Sequence, residues 1–161
     1  MLNKNAGGWI IFTSLLIAFL LTALPLPAWA DPWRPAWVAM VLIYWCMALP
    51  GRIGIGTAWC LGLLLDVQQG ALLGQNALIL ALVAYFILQI HKRFRIFPLV
   101  QQSCLIGIII IFYLLIASWI TGIMGLAPQT WTYWAPAFSS MILWPWLFVI
   151  LRDMRRKYHV S

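Results

Sequence analysis

Charge is what this sequence has least of. Only 8% of its 161 residues are charged, ten Lys and Arg against three Asp and Glu. A soluble domain of this length needs a charged shell, and so few charges cannot supply one. Cysteine is scarce too. Cys46, Cys60 and Cys104 are odd in number and lie inside apolar runs, which argues against a disulfide framework and reads as small apolar packing. The inventory for chemistry is missing as well: there is no Gly-rich phosphate loop, no paired carboxylate and no His/Cys ligand spacing. Gln89, Ser118, Thr121, Ser139 and Ser140 lack the His or Lys that nucleophilic catalysis needs, and a Ser or Thr in an apolar helix bonds its own backbone. His91 and His159 stand in basic clusters. The chain therefore reads as a non-enzyme without cofactor or metal.

What is present in quantity is apolar. Hydrophobic residues make up 65% of the chain and the mean hydropathy is +0.96, so the bilayer is the solvent this composition fits. At roughly 20 residues per crossing there is room for about six helices and little else. The predicted fold is an all-α membrane protein, six transmembrane helices in one bundle. Its single domain covers 1–161, with spans at about 9–24, 36–49, 53–69, 76–90, 104–126 and 136–151. A basic cytoplasmic tail, 152–161, follows. The prolines and glycines of Pro25-Leu26-Pro27, Pro50-Gly51-Arg52 and Gly70–Gln75 mark the turns. The second run is short for a crossing, which local thinning or an interfacial Trp33 and Arg34 would accommodate. Pro145, between Trp144 and Trp146, predicts a bend in the last span.

A net charge of +7 would suggest nucleic acid in a soluble protein. Its placement points to topology instead, and no nucleic acid is expected. With the N-terminus inside, Lys4, Arg52, Lys92, Arg93, Arg95, Arg152, Arg155, Arg156 and Lys157 are all cytoplasmic, against Arg34 alone outside. That asymmetry is the positive-inside pattern, and a count of five or seven would split the two clusters between opposite sides. The expected location is a bacterial inner membrane, with both termini cytoplasmic. The basic clusters also invite anionic membrane lipid. Trp9, Trp29, Trp33, Trp131 and Trp134 fall where aromatic belts form. Lys4, the first apolar run and Ala28-Trp29-Ala30 have the outline of a cleavable secretory signal, but the length of the run and its terminal prolines favour a retained span.

Two features stand out at membrane depth. Asp66, near the outer end of the third span, needs either a partner or a route to water. Arg34 heads the neighbouring antiparallel span, so an Arg34–Asp66 pair is one expectation and snorkelling of Asp66 to the headgroups is the other. Gly54, Ala58, Gly62, Asp66, Gly70 and Gly74 recur every four residues, a stripe that lets another backbone approach closely. It reads first as internal packing, with the last two glycines in the turn, and second as a docking face for another membrane protein.

Further landmarks carry a resemblance. Arg34-Pro35-Ala36-Trp37, Tyr44-Trp45, Ala48-Leu49-Pro50, the Gly62, Asp66, Gly70, Gly74 series and Leu143-Trp144-Pro145-Trp146 together resemble, in order and along nearly the whole chain, the rod shape-determining MreD family. The resemblance implies a non-enzymatic scaffold of the cell-wall elongation complex, needed for rod shape and lateral peptidoglycan synthesis. It implies MreC as the most direct partner, with MreB, RodZ, RodA and a class B penicillin-binding protein in the same complex. It also implies a fold similar to the substrate-binding subunits of energy-coupling-factor vitamin transporters. That last analogy keeps open a second function, a small-solute-binding subunit of a transporter, with Asp66, Gln68, Gln69, Gln75 and Asn76 as its polar groups. A deep polar cavity would favour the second reading and a filled bundle the first.

Overall fold

Proline places the helix ends. The residue before a proline is pushed out of helical geometry, and in the computed structural model Leu49 before Pro50 and Phe97 before Pro98 each take that role, closing one helix before the next begins. The structure describes residues 6–70, 72–125 and 130–158. Lys4, His159 and the predicted end of the fifth span at Leu126 lie outside the described residues. Six α-helices follow in order: α1 Ala6–Ala23, α2 Trp37–Ala48, α3 Ile55–Gln69, α4 Gln75–Ile96, α5 Leu99–Ile123 and α6 Ala135–Lys157. Short 3-10 turns at Asp31–Trp33 and Trp131–Trp134 precede α2 and α6. No strand occurs among the described residues.

The helices outrun the apolar segments. α4 continues through the cluster Lys92–Arg95 to Ile96, and α6 continues through Arg152–Lys157, so these basic residues stand on helices rather than in a loop and a separate tail. The reason is local. Arg and Lys are good helix formers, and cations in a last turn complement the C-terminal end of the helix dipole. α6 also runs on through Pro145 as one helix.

Three segments, α4, α5 and Trp131–Lys157, are long and apolar enough to cross a membrane, while the apolar part of α1, Gly7–Ala23, is shorter. α2 has 12 residues and α3 has 15, about 18 and 22 Å of helix. α2 occupies the centre. Every residue from Val38 to Ala48 is buried, enclosed mainly by α1, α4 and α6. A helix apolar on all sides belongs in such a place. An aromatic ladder crosses it: Phe94 and Trp144 meet edge to face at 6.2 Å, Trp144 lies 6.1 Å from Phe148, and Tyr44 meets Phe148 at 5.6 Å and Trp45 at 5.3 Å. Its polar edges are satisfied. Trp45 donates to Ser14 Oγ of α1 at 2.8 Å, and Trp144 donates to Gln102 of α5 at 3.3 Å. The ladder thereby joins five helices. Outside it, Phe12, Leu16, Leu20, Leu82, Phe86, Ile108, Phe112, Ile142 and Trp146 are exposed, an apolar exterior suited to lipid.

The small-residue stripe has one decisive position. Ala58, Gly62 and Asp66 are buried on the face of α3 that meets α4. A Cβ on Gly62 would collide with the backbone of Asn76 and Ala77, whereas one on Gly54 would meet nothing. The middle of the stripe is thus spent on internal packing, and it offers no free docking face. Gly70 and Gly74 end the hairpin in the left-handed region, at φ 65° and 99°, where a side chain is strained.

Gly62→Val is expected to lower the thermal stability of the purified protein strongly, because backbone on both sides cannot yield. Gly54→Ala is expected to stay within about 0.5 kcal/mol of wild type. Thermal unfolding in detergent distinguishes the two.

Candidate functional site

Asp66 is the only carboxylate among the described residues that is buried within the bundle, at 1% exposure. It faces neither Arg34 nor the headgroups. One oxygen accepts the backbone N–H of Gly74 at 2.7 Å and the other accepts that of Asn76 at 2.8 Å. The last turn of α3 therefore caps the first turn of α4, where orphan N–H groups and the positive end of the helix dipole favour an anion. This corrects both sequence-based expectations for Asp66. The signal that would have found it is the pair of left-handed glycines just beyond it, which fold the chain straight back over its carboxylate.

Arg34 has found other acceptors. Its guanidinium donates to the carbonyl of Thr22, to that of Leu24 at 2.7 Å and to the Asp31 carboxylate at 2.9 Å. These carbonyls lie at the C-terminal end of α1, where the helix has no donors left for them. Arg34 thus ties the α1–α2 connection to the end of α1. Ser140 of α6, fully buried, accepts the Ala36 N–H at 3.2 Å and holds the start of α2 in place.

From Asp66 a polar chain runs inward. The Asn76 amide donates to Gln69 at 3.2 Å and accepts from the Tyr113 hydroxyl of α5. Tyr133, in the turn before α6, donates to the Leu114 carbonyl at 2.9 Å. These side chains border a cavity of about 360 Å³ that also touches Arg34, Trp37, Gln75 and Thr121. Gln75 is nine-tenths buried, and its side-chain amide has no hydrogen-bond partner among the described residues. Of the polar groups expected to line a pocket, Gln69, Gln75 and Asn76 do so. Asp66 does not, and Gln68 turns away to donate to the Phe19 carbonyl of α1 at 3.1 Å. Tyr113 and Tyr133 were not foreseen, because they are far apart in sequence and meet Asn76 and Leu114 only through tertiary packing. Amides, hydroxyls and one tethered guanidinium can hold a polar solute by hydrogen bonds, while Asp66, the one buried carboxylate among the described residues, is already engaged by two N–H donors.

At the opposite end, Arg95 of α4 meets Arg152 and Arg155 of α6 around one cavity beside the C-terminal turn of α2. Lys92, Arg93, Arg156 and Lys157 flank them in the same turns. The two basic clusters predicted from sequence therefore share one end of the bundle, away from Arg34. Cys46 is buried, while Cys60 and Cys104 face outward.

Asp66→Asn keeps the size of the side chain but turns an amide N–H toward one of the two donors. The expected loss is about 1–3 kcal/mol, the cost of an unsatisfied buried polar group. It is read as a lowered unfolding temperature in detergent, with Gln68→Ala on the neighbouring turn much milder.

The family model described as rod shape-determining protein MreD matches residues 3–154. A rod shape-determining protein MreD of Haemophilus influenzae is 34% identical over 147 residues, covering 91% of each chain. No solved structure matches. A bundle whose Arg34, Tyr44-Trp45, Gly62–Gly74 and Trp144 landmarks all take part in its turns and core, and whose sequence matches along nearly its whole length, belongs to the MreD family of rod shape-determining proteins.

Proposed function

We propose that this protein is a non-enzymatic scaffold of the lateral cell-wall elongation complex, crossing the inner membrane six times with both termini in the cytoplasm. Family membership carries the reading. It is supported by a bundle that is apolar on its outer surface, basic at one end and occupied within by structural hydrogen bonds. On this reading the short α2 and α3 cross a locally thinned bilayer, or one in which polar loops dip toward the core. MreC is the proposed direct partner, with MreB, RodZ, RodA and a class B penicillin-binding protein in the same assembly.

A second reading has one observation in its favour: the 360 Å³ cavity lined by Gln75, whose amide has no protein partner among the described residues. It casts the chain as a small-solute-binding subunit. The solute would enter from the Arg34 end, between α2, α4 and α5.

Photocrosslinking in living cells separates them. Probes belong on outward positions such as Trp59 and Leu64 of α3 and Ile108 and Phe112 of α5, because the Gly62 face is closed by α4. The scaffold reading expects a discrete adduct with MreC from one of these faces, lost together with rod shape when that face is made charged. No protein adduct from any face, with a small molecule retained on purification and lost in Gln75→Leu, would overturn it in favour of the second.

A further inference from the structure

Tyr44 is out of keeping with the helix that carries it. α2 is otherwise a run of apolar residues, and Tyr44 is 1% exposed at its centre. Its ring is fully used, stacked edge to face on Trp45 and Phe148. Its hydroxyl is not: it makes no hydrogen bond among the described residues. The hydroxyl is not sealed among apolar atoms either, since it opens onto a cavity, and Phe would serve the ring packing equally well.

Tyr44 lines a cavity of about 220 Å³ at the basic end of the bundle, together with Arg95 of α4 and Phe148, Arg152 and Arg155 of α6. Arg156 lies close enough for its charge also to act on Tyr44. The guanidinium of Arg152 rests 5.9 Å from the Phe148 ring centre. Its Nε–H is enclosed and has no acceptor. Among the described residues the acid nearby is Asp153, which stays at 3.7 Å from that nitrogen and is largely exposed, while Asp31 and Asp66 stand at the other end of the bundle. Three Arg side chains and a hydroxyl thus border one small space, with no carboxylate among its lining residues that are described.

We propose that this cavity binds a phosphate group, presented by the headgroup of an anionic phospholipid. Arg95, Arg152 and Arg155 approach from two helices and Tyr44 from a third, so donors converge from separate directions. That suits a tetrahedral oxyanion with several acceptor oxygens better than a planar carboxylate. The Tyr44 hydroxyl, open to the cavity, and the enclosed Arg152 Nε–H each gain an acceptor. The source follows from position. Ile96 and Val100, exposed apolar residues at the α4–α5 turn, lie beside the basic cluster, where acyl chains could run along the bundle from a headgroup held at its rim. Basic pockets between helices at a membrane surface recognise anionic headgroups in this way. The site is independent of which proteins the chain assembles with.

The test uses the full-length protein purified in detergent and offered phosphatidylglycerol or phosphatidylcholine at equal concentration, with bound lipid counted by native mass spectrometry. Phosphatidylglycerol is expected to bind in preference, and the adduct to fall about 5-fold on removing one donor in Tyr44→Phe or Arg155→Gln. Arg93→Gln and Lys157→Gln, basic residues of the same turns outside the cavity, should leave it near wild type. Should Tyr44→Phe disturb folding, Arg155→Gln, at a partly buried residue of the cavity lining, carries the test alone. Equal binding of the two lipids, or an equal fall in the cavity and control variants, overturns the site and leaves only diffuse attraction. Binding of inorganic pyrophosphate that depends on Tyr44 and Arg155, without phosphatidylglycerol preference, keeps the phosphate site but overturns its assignment to lipid.

Discussion

A carboxylate buried without a counter-charge has to be met by something, and here two backbone N–H groups meet it. In a bundle surrounded by hydrocarbon, burying apolar side chains gains little, because lipid is as apolar as leucine. Close packing and satisfied polar groups must then hold the helices together. Asp66 supplies both at once. To accept from Gly74 and Asn76 it needs α4 to begin directly over the end of α3. That start is possible only because Gly70 and Gly74 take left-handed geometry and Gly62 lets the two backbones touch. With α4 fixed, Asn76 is fixed, and through it Tyr113 of α5 and the wall of the cavity.

The central helix depends on the same constraint from the other direction. α2 is short and almost wholly apolar, its one side-chain polar link is Trp45 to Ser14, and it has no side-chain N-cap bond. Its position comes from what surrounds it: Ser140 on the Ala36 N–H, Ser14 on Trp45, and the ring ladder from Phe94 to Tyr44. The Arg34 end is therefore held by hydrogen bonds, and the basic end by aromatic packing. Gln102 links the two modes, donating to the Phe94 and Phe97 carbonyls while accepting from Trp144.

Much of this architecture is legible from the sequence, and the illegible part has a physical pattern. Apolar runs and proline turns locate all six helices, with ends displaced by up to six residues, because each signal is local. α4 and α6 extend past their apolar runs since hydropathy reports where lipid ends, and helix propensity continues beyond it through Lys92–Arg95 and Arg152–Lys157. The Arg34–Asp66 expectation fails for a different reason. Opposite charges on adjacent spans invite pairing, but bare helix ends lie nearer to each of them and offer backbone partners that no charge count reveals. The polar lining of the cavity joins Asn76 to Tyr113, and the cluster at Tyr44 joins α2 to α4 and α6. Contacts between residues so far apart leave no periodic trace.

The use made of Gly62 constrains how such a protein can bind another helix. Small-residue faces are the common means of lateral association in membranes, because they let backbones approach. In this chain the buried part of that face already holds α4. What remains outside is ridged by large side chains, with Trp9, Phe12 and Leu20 on α1 and Ile108, Phe112 and Trp119 on α5. A surface of that kind binds by shape, knob against hole, at greater axis separation than a glycine seam. Specificity would then come from the pattern of bulky residues and from the polar or basic groups at the two ends, which makes the ends of the bundle as informative about partners as its sides.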